Sequence, residues 1–562
     1  MRLSLVPLFG CCALFAAQSE IVKSFDTLVP MRDGVRLAAD VFRPAEPGRY
    51  PTVLVRTPYG KPHDLSAHYE AFVEHGYAVV IQDVRGRYAS EGVFRPLEQE
   101  PADGDDTLNW IARQPWSDGK VGMMGGSYLG IVQWKVAALN NPHLKAIFPV
   151  VSGCDDYRDR FYSPGGAMKL GHRLLWMSEN LRAPGFHPDF RKFVLHLPLR
   201  TADFAAIGQT SEMYQDAIAH PAYDSFWKSI STRQNLDKIR VPVFSVGGWF
   251  DNFVESDLDA YERLRKNSGV HRILIGPWPH NMSVKLDGTD FGPDAVVALR
   301  GIQLQWFDQF LKGKDTALLS QPPVRFFVMG SNRWREAREW PPHARLESFY
   351  LESRGHANTL SGDGKLIAME SRRSVEDRFV FDPRDPVPTM GGAVCCNPKV
   401  FPWGPMDQRP VEKRPDVLVY TTPPLKRDLE VVGRVEVVLY ASTSGRDTDF
   451  TAKLVDVFPD GRARNLTDGI LRVRYRHSLE KPELVKPGEV CRLTIDAGVT
   501  GNVFQKGHRI RMEISSSNFP RFDRNPNTGG SIADETELRR ASQTVYHGAQ
   551  HPSRLVLPVL QN

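Results

Sequence analysis

The chain has 562 residues, more than a single hydrophobic core organises, so roughly two to four domains are expected. Its 41% hydrophobic and 24% charged content is that of an ordinary globular protein. A net charge of +5 is small for this length and gives no case for nucleic-acid binding, which would need a clustered basic face.

Residues 1–19 hold one positive charge, a short apolar run and small residues at Ala16 and Ala17. This is a signal-peptide pattern, too short to span a membrane as a mature helix, so export to the periplasm or medium is expected. Leu8-Phe-Gly-Cys11 resembles a lipoprotein processing box, although Phe9 is bulky for that role. No other segment is apolar enough for a membrane span.

Short, nearly continuous apolar runs follow at 52–56, 78–83, 121–124, 146–151, 241–246 and 273–276, with helical patterns between them at 68–74, 107–113 and 256–266. Strands buried on both faces and alternating with helices predict a doubly wound α/β sheet. The repeat is interrupted from 152 to 240 by helical stretches broken at Pro164, Pro184, Pro188 and Pro198. An insertion that long is expected to be a helical cap over the sheet. Beyond 320 the texture changes to strands with period-two alternation, as at 471–476 and 509–514, punctuated by Pro-Asp-Gly, Pro-Gly and Lys-Gly. That pattern predicts a β-sandwich of half-buried strands. The expected division is a leader at 1–19, a catalytic domain at 20–151 and 241–320, a cap at 152–240 and a β domain at 321–562.

Three strand ends carry the chemistry. Gly-Gly-Ser-Tyr-Leu-Gly (125–130) places Ser127 at a strand-to-helix turn crowded with glycine, the setting of a nucleophile elbow. The closing glycine falls at 130 rather than 129, so the motif departs from plain G-x-S-x-G. Gly-Gly-Trp-Phe-Asp (247–251) ends a second strand in Asp251, and Gly-Pro-Trp-Pro-His (276–280) ends a third in His280. Ser127, Asp251 and His280 stand in the chain order of α/β-hydrolases, each past the end of a strand, where open parallel sheets bear their active sites. The blander alternative is a βα-loop serine, a helix-capping Asp251 and a loop histidine bonded to backbone.

These segments, with Arg-Thr-Pro-Tyr-Gly-Lys (56–61), Asp-Val-Arg-Gly-Arg-Tyr-Ala-Ser-Glu-Gly (83–92) and Ile-Ser-Ser-Ser-Asn-Phe-Pro-Arg-Phe-Asp (514–523), resemble the cocaine esterase/glutaryl acylase group of the X-prolyl dipeptidyl peptidase (S15) superfamily. The resemblance runs over nearly the whole chain after residue 20. It implies an α/β-hydrolase fold with a jelly-roll C-terminal domain, and a Ser127–Asp251–His280 triad. It also implies an oxyanion hole made by the Tyr59 hydroxyl and the Tyr128 backbone N–H. No cofactor or metal is implied.

The expected substrate is a small ester or amide, or a short peptide. Relatives that hold a free ammonium carry acids just after the triad aspartate, and Phe253 and Val254 stand there in this chain. Phe253, and Trp176 from the cap, are therefore expected to meet an apolar acyl group, with cap core as the other reading of Trp176. Two enzyme alternatives remain: a dipeptidyl peptidase holding an amine on Asp155, Asp156 or Asp159, and a glutaryl-type acylase holding a carboxylate on Arg158 or Arg160. A binding protein on an inert hydrolase scaffold is the alternative outside catalysis.

Of six cysteines, Cys11 and Cys12 belong to the leader. Cys154, Cys395, Cys396 and Cys491 make no disulfide-dense framework, and the adjacent pair is free to find two different partners. There is no C-x-x-C and no metal-ligand spacing.

Overall fold

A computed structural model describes residues 20–267, 269–286 and 288–561. The expected leader, with Cys11 and Cys12, lies outside them. No helix among the described residues is long and apolar enough to cross a membrane.

The first domain is built on a ten-stranded sheet. Its first eight strands along the chain are β1 (Ile21–Pro30), β2 (Arg36–Pro44), β3 (Tyr50–Thr57), β4 (Ala78–Asp83), β5 (Ser117–Gly126), β6 (Leu144–Val150), β7 (Val243–Phe250) and β8 (His271–Pro279). Their spatial order is β1-β2-β4-β3-β5-β6-β7-β8, parallel from β4 through to β8. The runs Ala-Val-Val-Ile-Gln-Asp of β4 and Val-Phe-Ser-Val-Gly-Gly-Trp-Phe of β7 are buried at every position. Helices α1 (Ala67–Glu74) and Leu299–Leu311 pack on one face. On the other lie α2 (Glu100–Ala112), α3 (Tyr128–Ala137) and the helix Val254–Leu264. Coverage on both faces is why these strands read as continuous apolar runs rather than alternating ones.

Parallel pairing puts the C-terminal ends of β5, β7 and β8 at one edge of the sheet. Ser127, Asp251 and His280 directly follow those ends. Helical segments between β6 and β7 form the cap, whose principal helix α4 (Leu170–Asn180) is buried from Leu170 to Ser178.

The C-terminal domain is an eleven-stranded, largely antiparallel β structure. The long strand Leu429–Thr443 pairs with Cys491–Phe504, Ala541–His547 and Arg554–Leu560. Its apolar core runs on into the first domain without a break: Trp249, Val254 and Phe327 share one cluster with Val431, Ile495 and Leu557. Trp249 Nε1 donates to the Phe327 carbonyl at 2.6 Å, and a carbon added at Gly501 would come within 2.8 Å of the Trp249 ring.

The first sheet runs past the expected boundary at 320, and the expected half-buried strands of the β domain need correction. Val324–Val328 pairs parallel with β8, and Arg333–Ala337 pairs with Val324–Val328, so both strands continue the catalytic sheet beyond the expected boundary at 320. The sheet ladder, invisible in composition, runs across that point. The alternating 471–476 segment is not a strand with one wet face. The strand Ala463–Arg472 stops there, a 3₁₀ turn follows at Val473–Tyr475, and Arg472 is buried on Asp449 and Asp523, each at 2.9 Å. Arg509–Ser515 is a strand as expected, but its polar face is also covered. Arg511 meets Glu412 at 2.7 Å and Glu513 meets Lys453 at 3.2 Å.

Candidate active site

Ser127 is the single residue between β5 and α3, at φ 56°, ψ −125°. Positive φ is costly for a residue with a Cβ and persists only where the surroundings impose it. Here the Ser127 N–H donates to the Val150 carbonyl at the end of β6 (2.9 Å), and its own carbonyl accepts from the N–H groups of Gly130 and Ile131. The glycine spacing has a packing cause. A Cβ at Gly125 would lie 2.5 Å from that of Leu129, and one at Gly130 would lie 2.5 Å from that of Ser152. Position 130, not 129, is where α3 presses on the loop after β6.

Asp251 is fully buried. Its Oδ1 accepts the Phe253 N–H at 2.9 Å, and its Oδ2 accepts from His280 Nδ1 at 2.6 Å. That bond occupies Nδ1 and leaves Nε2 clear of the carboxylate. His280 keeps partial access, its side chain 13% exposed.

Tyr59 follows Pro58 at the end of β3. Its hydroxyl accepts from Trp176 Nε1 at 3.2 Å and lies beside the Ser127 side chain and the Tyr128 backbone N–H. Burial pushes its pKa up, so it stays a protonated donor.

Tyr59, Ser127, Tyr128, Phe253 and Trp176 line one narrow cleft. The Phe253 ring centroid lies 5.7 Å from that of His280, which joins the Asp251–His280 pair to the cleft wall. Trp176 stacks on the Tyr128 ring at 6.2 Å as well as bonding Tyr59, so it is both packing and lining.

The charged run early in the cap is committed elsewhere. Asp156 is buried between Lys135 (2.5 Å) and Arg160 (2.7 Å). Asp155 caps its own turn by accepting from the N–H groups of Tyr157 and Arg158, and it faces Arg233 at 3.4 Å. Asp159 accepts the Asp155 N–H at 2.7 Å; burial raises its pKa to about 7. Asp155, Asp159 and Arg158 line a separate charged cavity with Lys169 and Glu255, away from Ser127. Among the five, only Arg160 reaches the catalytic cleft.

Several groups in the cleft wall or behind it carry no sequence signal. Arg56 of the Arg-Thr-Pro-Tyr segment is fully buried on Glu100 at 2.7 Å, and Glu100 accepts the Tyr128 hydroxyl at 2.8 Å. This chain fixes the residue whose N–H faces Tyr59. Arg173 and His172 enter the cleft from α4. Arg173 is buried over Phe161, donates to the Arg160 carbonyl, and has no carboxylate within ion-pair distance among the described residues. Burial lowers its pKa to about 9. Cys395 also lines the cleft, and it is disulfide-bonded to Cys396, so the adjacent pair does not take two different partners. Cys154 and Cys491 are free and buried.

Comparison with known proteins agrees with this architecture. The X-Pro dipeptidyl-peptidase (S15 family) profile matches residues 33–282, and that of the X-Pro dipeptidyl-peptidase C-terminal non-catalytic domain matches 317–556. The chain is 41% identical to cocaine esterase of Rhodococcus sp. (strain MB1 Bresler), over 95% of this chain and 98% of that protein. An α-amino acid ester hydrolase structure superposes with a TM-score of 0.83 at 27% identity, over 99% of this chain and 98% of the other. An aminopeptidase from a marine sediment Thaumarchaeota archaeon gives 0.85 at 26% identity, over 100% and 99%.

Proposed function

This chain is a serine hydrolase of the X-Pro dipeptidyl-peptidase (S15) family, and we propose that within the family it is an exported esterase or acylase that works through an acyl-enzyme on Ser127. The observation that carries the proposal is the meeting, at one sheet edge, of a serine at φ 56°, a 2.6 Å Asp251–His280 pair and the Tyr59 hydroxyl.

The geometry supports the following course. His280, through the nitrogen not bonded to Asp251, removes the Ser127 proton as Oγ attacks the substrate carbonyl. The carbonyl oxygen gains negative charge and is met by the Tyr59 O–H and the Tyr128 N–H, two donors held in place before the reaction. Asp251 fixes the imidazole tautomer and stabilises its cation. His280 then gives the proton to the leaving alcohol or amine. Water, activated by the same histidine, hydrolyses the acyl-enzyme and restores Ser127. None of these steps calls on a cofactor.

For substrate, the protein would prefer acyl groups without a free α-ammonium. Phe253 walls the cleft, and the nearby acids are neutralised by Lys135, Arg160 and Arg233. Desolvating an unpaired ammonium there would cost several kcal/mol. The test is a matched pair of aryl esters, one with a free α-amine and one N-acylated. A higher kcat/KM for the N-acylated member supports the reading. A strong preference for the free amine overturns it and favours the specificity named by the aminopeptidase neighbour.

A second reading, an acylase for acidic acyl groups, is favoured by Arg173, a buried cation in the cleft without a carboxylate partner. A succinyl-type acyl group should then outperform its neutral isostere, and Arg173→Met should erase the difference. Export would follow from removal of residues 1–19; the N-terminal mass of the mature protein from its native host tests it.

A further inference from the structure

We propose that His172, Cys395 and Cys396 form a thiol-gated site for a thiophilic divalent cation, Zn²⁺ or Cd²⁺, in the wall of the catalytic cleft, and that filling it stops hydrolysis. The inhibitory readout rests on the acyl-enzyme reading; the binding itself does not.

The three residues come from segments far apart in the chain, yet their ligand atoms lie within 4.8 Å of one another. His172 and Cys395 line the same cleft as Ser127. His172 is only 4% exposed, and its Nδ1 has no hydrogen-bond partner. The ring is seated edge-on against Phe253, with centroids 6.0 Å apart.

The sulfurs are joined to each other, and a disulfide has no thiolate to offer. A small thiol changes that. One thiolate attacks a sulfur of the pair and forms a mixed disulfide, and a second thiol displaces the first. Two electrons and two protons pass to Cys395 and Cys396, and the reductant leaves as its own disulfide. On binding a divalent cation, each thiol releases its proton to solvent. Two thiolates and one neutral imidazole leave the bound ion without net charge, which suits a wall that already contains Arg160 and Arg173. A Cys₂His set is a soft, zinc-type donor set with one tetrahedral position open. An ion there would narrow the cleft beside Ser127. Linear spacing gives no sign of the site, because its histidine comes from the cap and its cysteines from the C-terminal domain.

The experiment compares full-length enzyme as isolated with enzyme reduced by a phosphine and freed of excess reductant. Thiols counted in denaturant should rise by two per chain on reduction. Cd²⁺ should give thiolate-to-metal charge-transfer absorption, saturating at one equivalent, in the reduced enzyme alone. Zn²⁺ should lower aryl-ester kcat/KM of the reduced enzyme about tenfold or more, reversibly with chelator, and spare the oxidised enzyme. His172→Ala should raise the Zn²⁺ concentration for half-inhibition about tenfold or more. Cys395→Ser/Cys396→Ser should lose both the absorption and the inhibition. No gain in thiols, Cd²⁺ absorption without Zn²⁺ inhibition, or inhibition that survives in the double serine variant would overturn the proposal; the last would place the ion on His280. Enzyme that never hydrolyses an ester overturns the acyl-enzyme reading instead, while the absorption still decides the metal site.

Discussion

The molecule contains two gatherings of serine, histidine, aspartate and tyrosine, and they behave differently. At the edge of the catalytic sheet stand Ser127, His280, Asp251 and Tyr59. In the C-terminal domain, Ser353, His547, Asp377 and Tyr420 meet in the core. Ser353 Oγ donates to Asp377 Oδ2 at 2.7 Å, Tyr420 donates to the same oxygen at 2.7 Å, and His547 Nε2 lies 3.0 Å from both Asp377 Oδ2 and Ser353 Oγ. Asp377 is fully buried, and Ser353 has an ordinary backbone conformation. In that cluster the carboxylate is the hub: the serine hydroxyl, the tyrosine hydroxyl and one imidazole nitrogen all turn to it, and the other nitrogen, His547 Nδ1, is buried without a partner. At the sheet edge the carboxylate is bonded by one imidazole nitrogen and a backbone N–H, and the serine is held at positive φ over a cleft. The residue types are the same; position on the sheet and division of the hydrogen bonds separate chemistry from architecture.

The comparison breaks if exchanging the two serines has the same effect. Ser127→Ala should lower kcat by roughly four orders of magnitude or more with the fold intact. Ser353→Ala should leave kcat within a few-fold of the parent and lower stability by about 1–3 kcal/mol, because it strips a partner from a buried carboxylate. Steady-state kinetics beside urea titrations read both.

The tyrosines sharpen the contrast at a smaller scale. On the proposed mechanism Tyr59→Phe should lower kcat about a hundredfold with little change in KM, because an oxyanion donor acts on charge that exists only in the transition state. An effect confined to KM would make Tyr59 a binding group. Tyr420→Phe should change stability alone.

Acid should distinguish the clusters again. Burial works to raise the Asp377 pKa, but the bonds from His547, the Ala357 N–H, Tyr420 and Ser353 outweigh it and hold it below the ordinary carboxylate value of 3.8. A carboxylate with a depressed folded pKa contributes stability above its unfolded pKa and loses it as pH falls through the folded value. Unfolding free energy measured by urea titration should therefore drop as pH falls below about 3.8. Asp377→Asn should be less stable at neutral pH and show a shallower drop.

The smallest expected effect is that of Trp176→Phe. It removes the Nε1–H that bonds Tyr59 and keeps most of the ring on Tyr128. A loss of a few-fold up to about tenfold in kcat is expected, in keeping with one neutral hydrogen bond to a positioning group. No change in kcat would show that Tyr59 is held without it.

What the sequence made legible follows the same divide. The parallel strands, and the strand ends that carry Ser127, Asp251 and His280, were readable because each is announced locally, by an apolar run ending in glycine and a polar residue. Tyr59 came through family resemblance rather than pattern. The Arg56–Glu100–Tyr128 chain, Arg173 and the Cys395–His172 juxtaposition were not readable, since they depend on which distant segments fold together. The sheet's continuation past 320 was not readable because Val324–Val328 pairs with a strand some fifty residues earlier, a property of the ladder rather than of its own composition. The alternation at 471–476 misled because Arg472 is stabilised inside by two aspartates, which a period-two rule assigns to water.

The central claim, that Ser127 rather than any other serine is the acylated nucleophile, is tested most directly by trapping. Active, full-length enzyme would be treated with a fluorophosphonate, digested and mapped by mass spectrometry. The account predicts one adduct per chain, on the peptide carrying Ser127, with label and activity loss rising together and Ser353 unmodified. An adduct on another residue, or full inactivation with Ser127 unmodified, would contradict it.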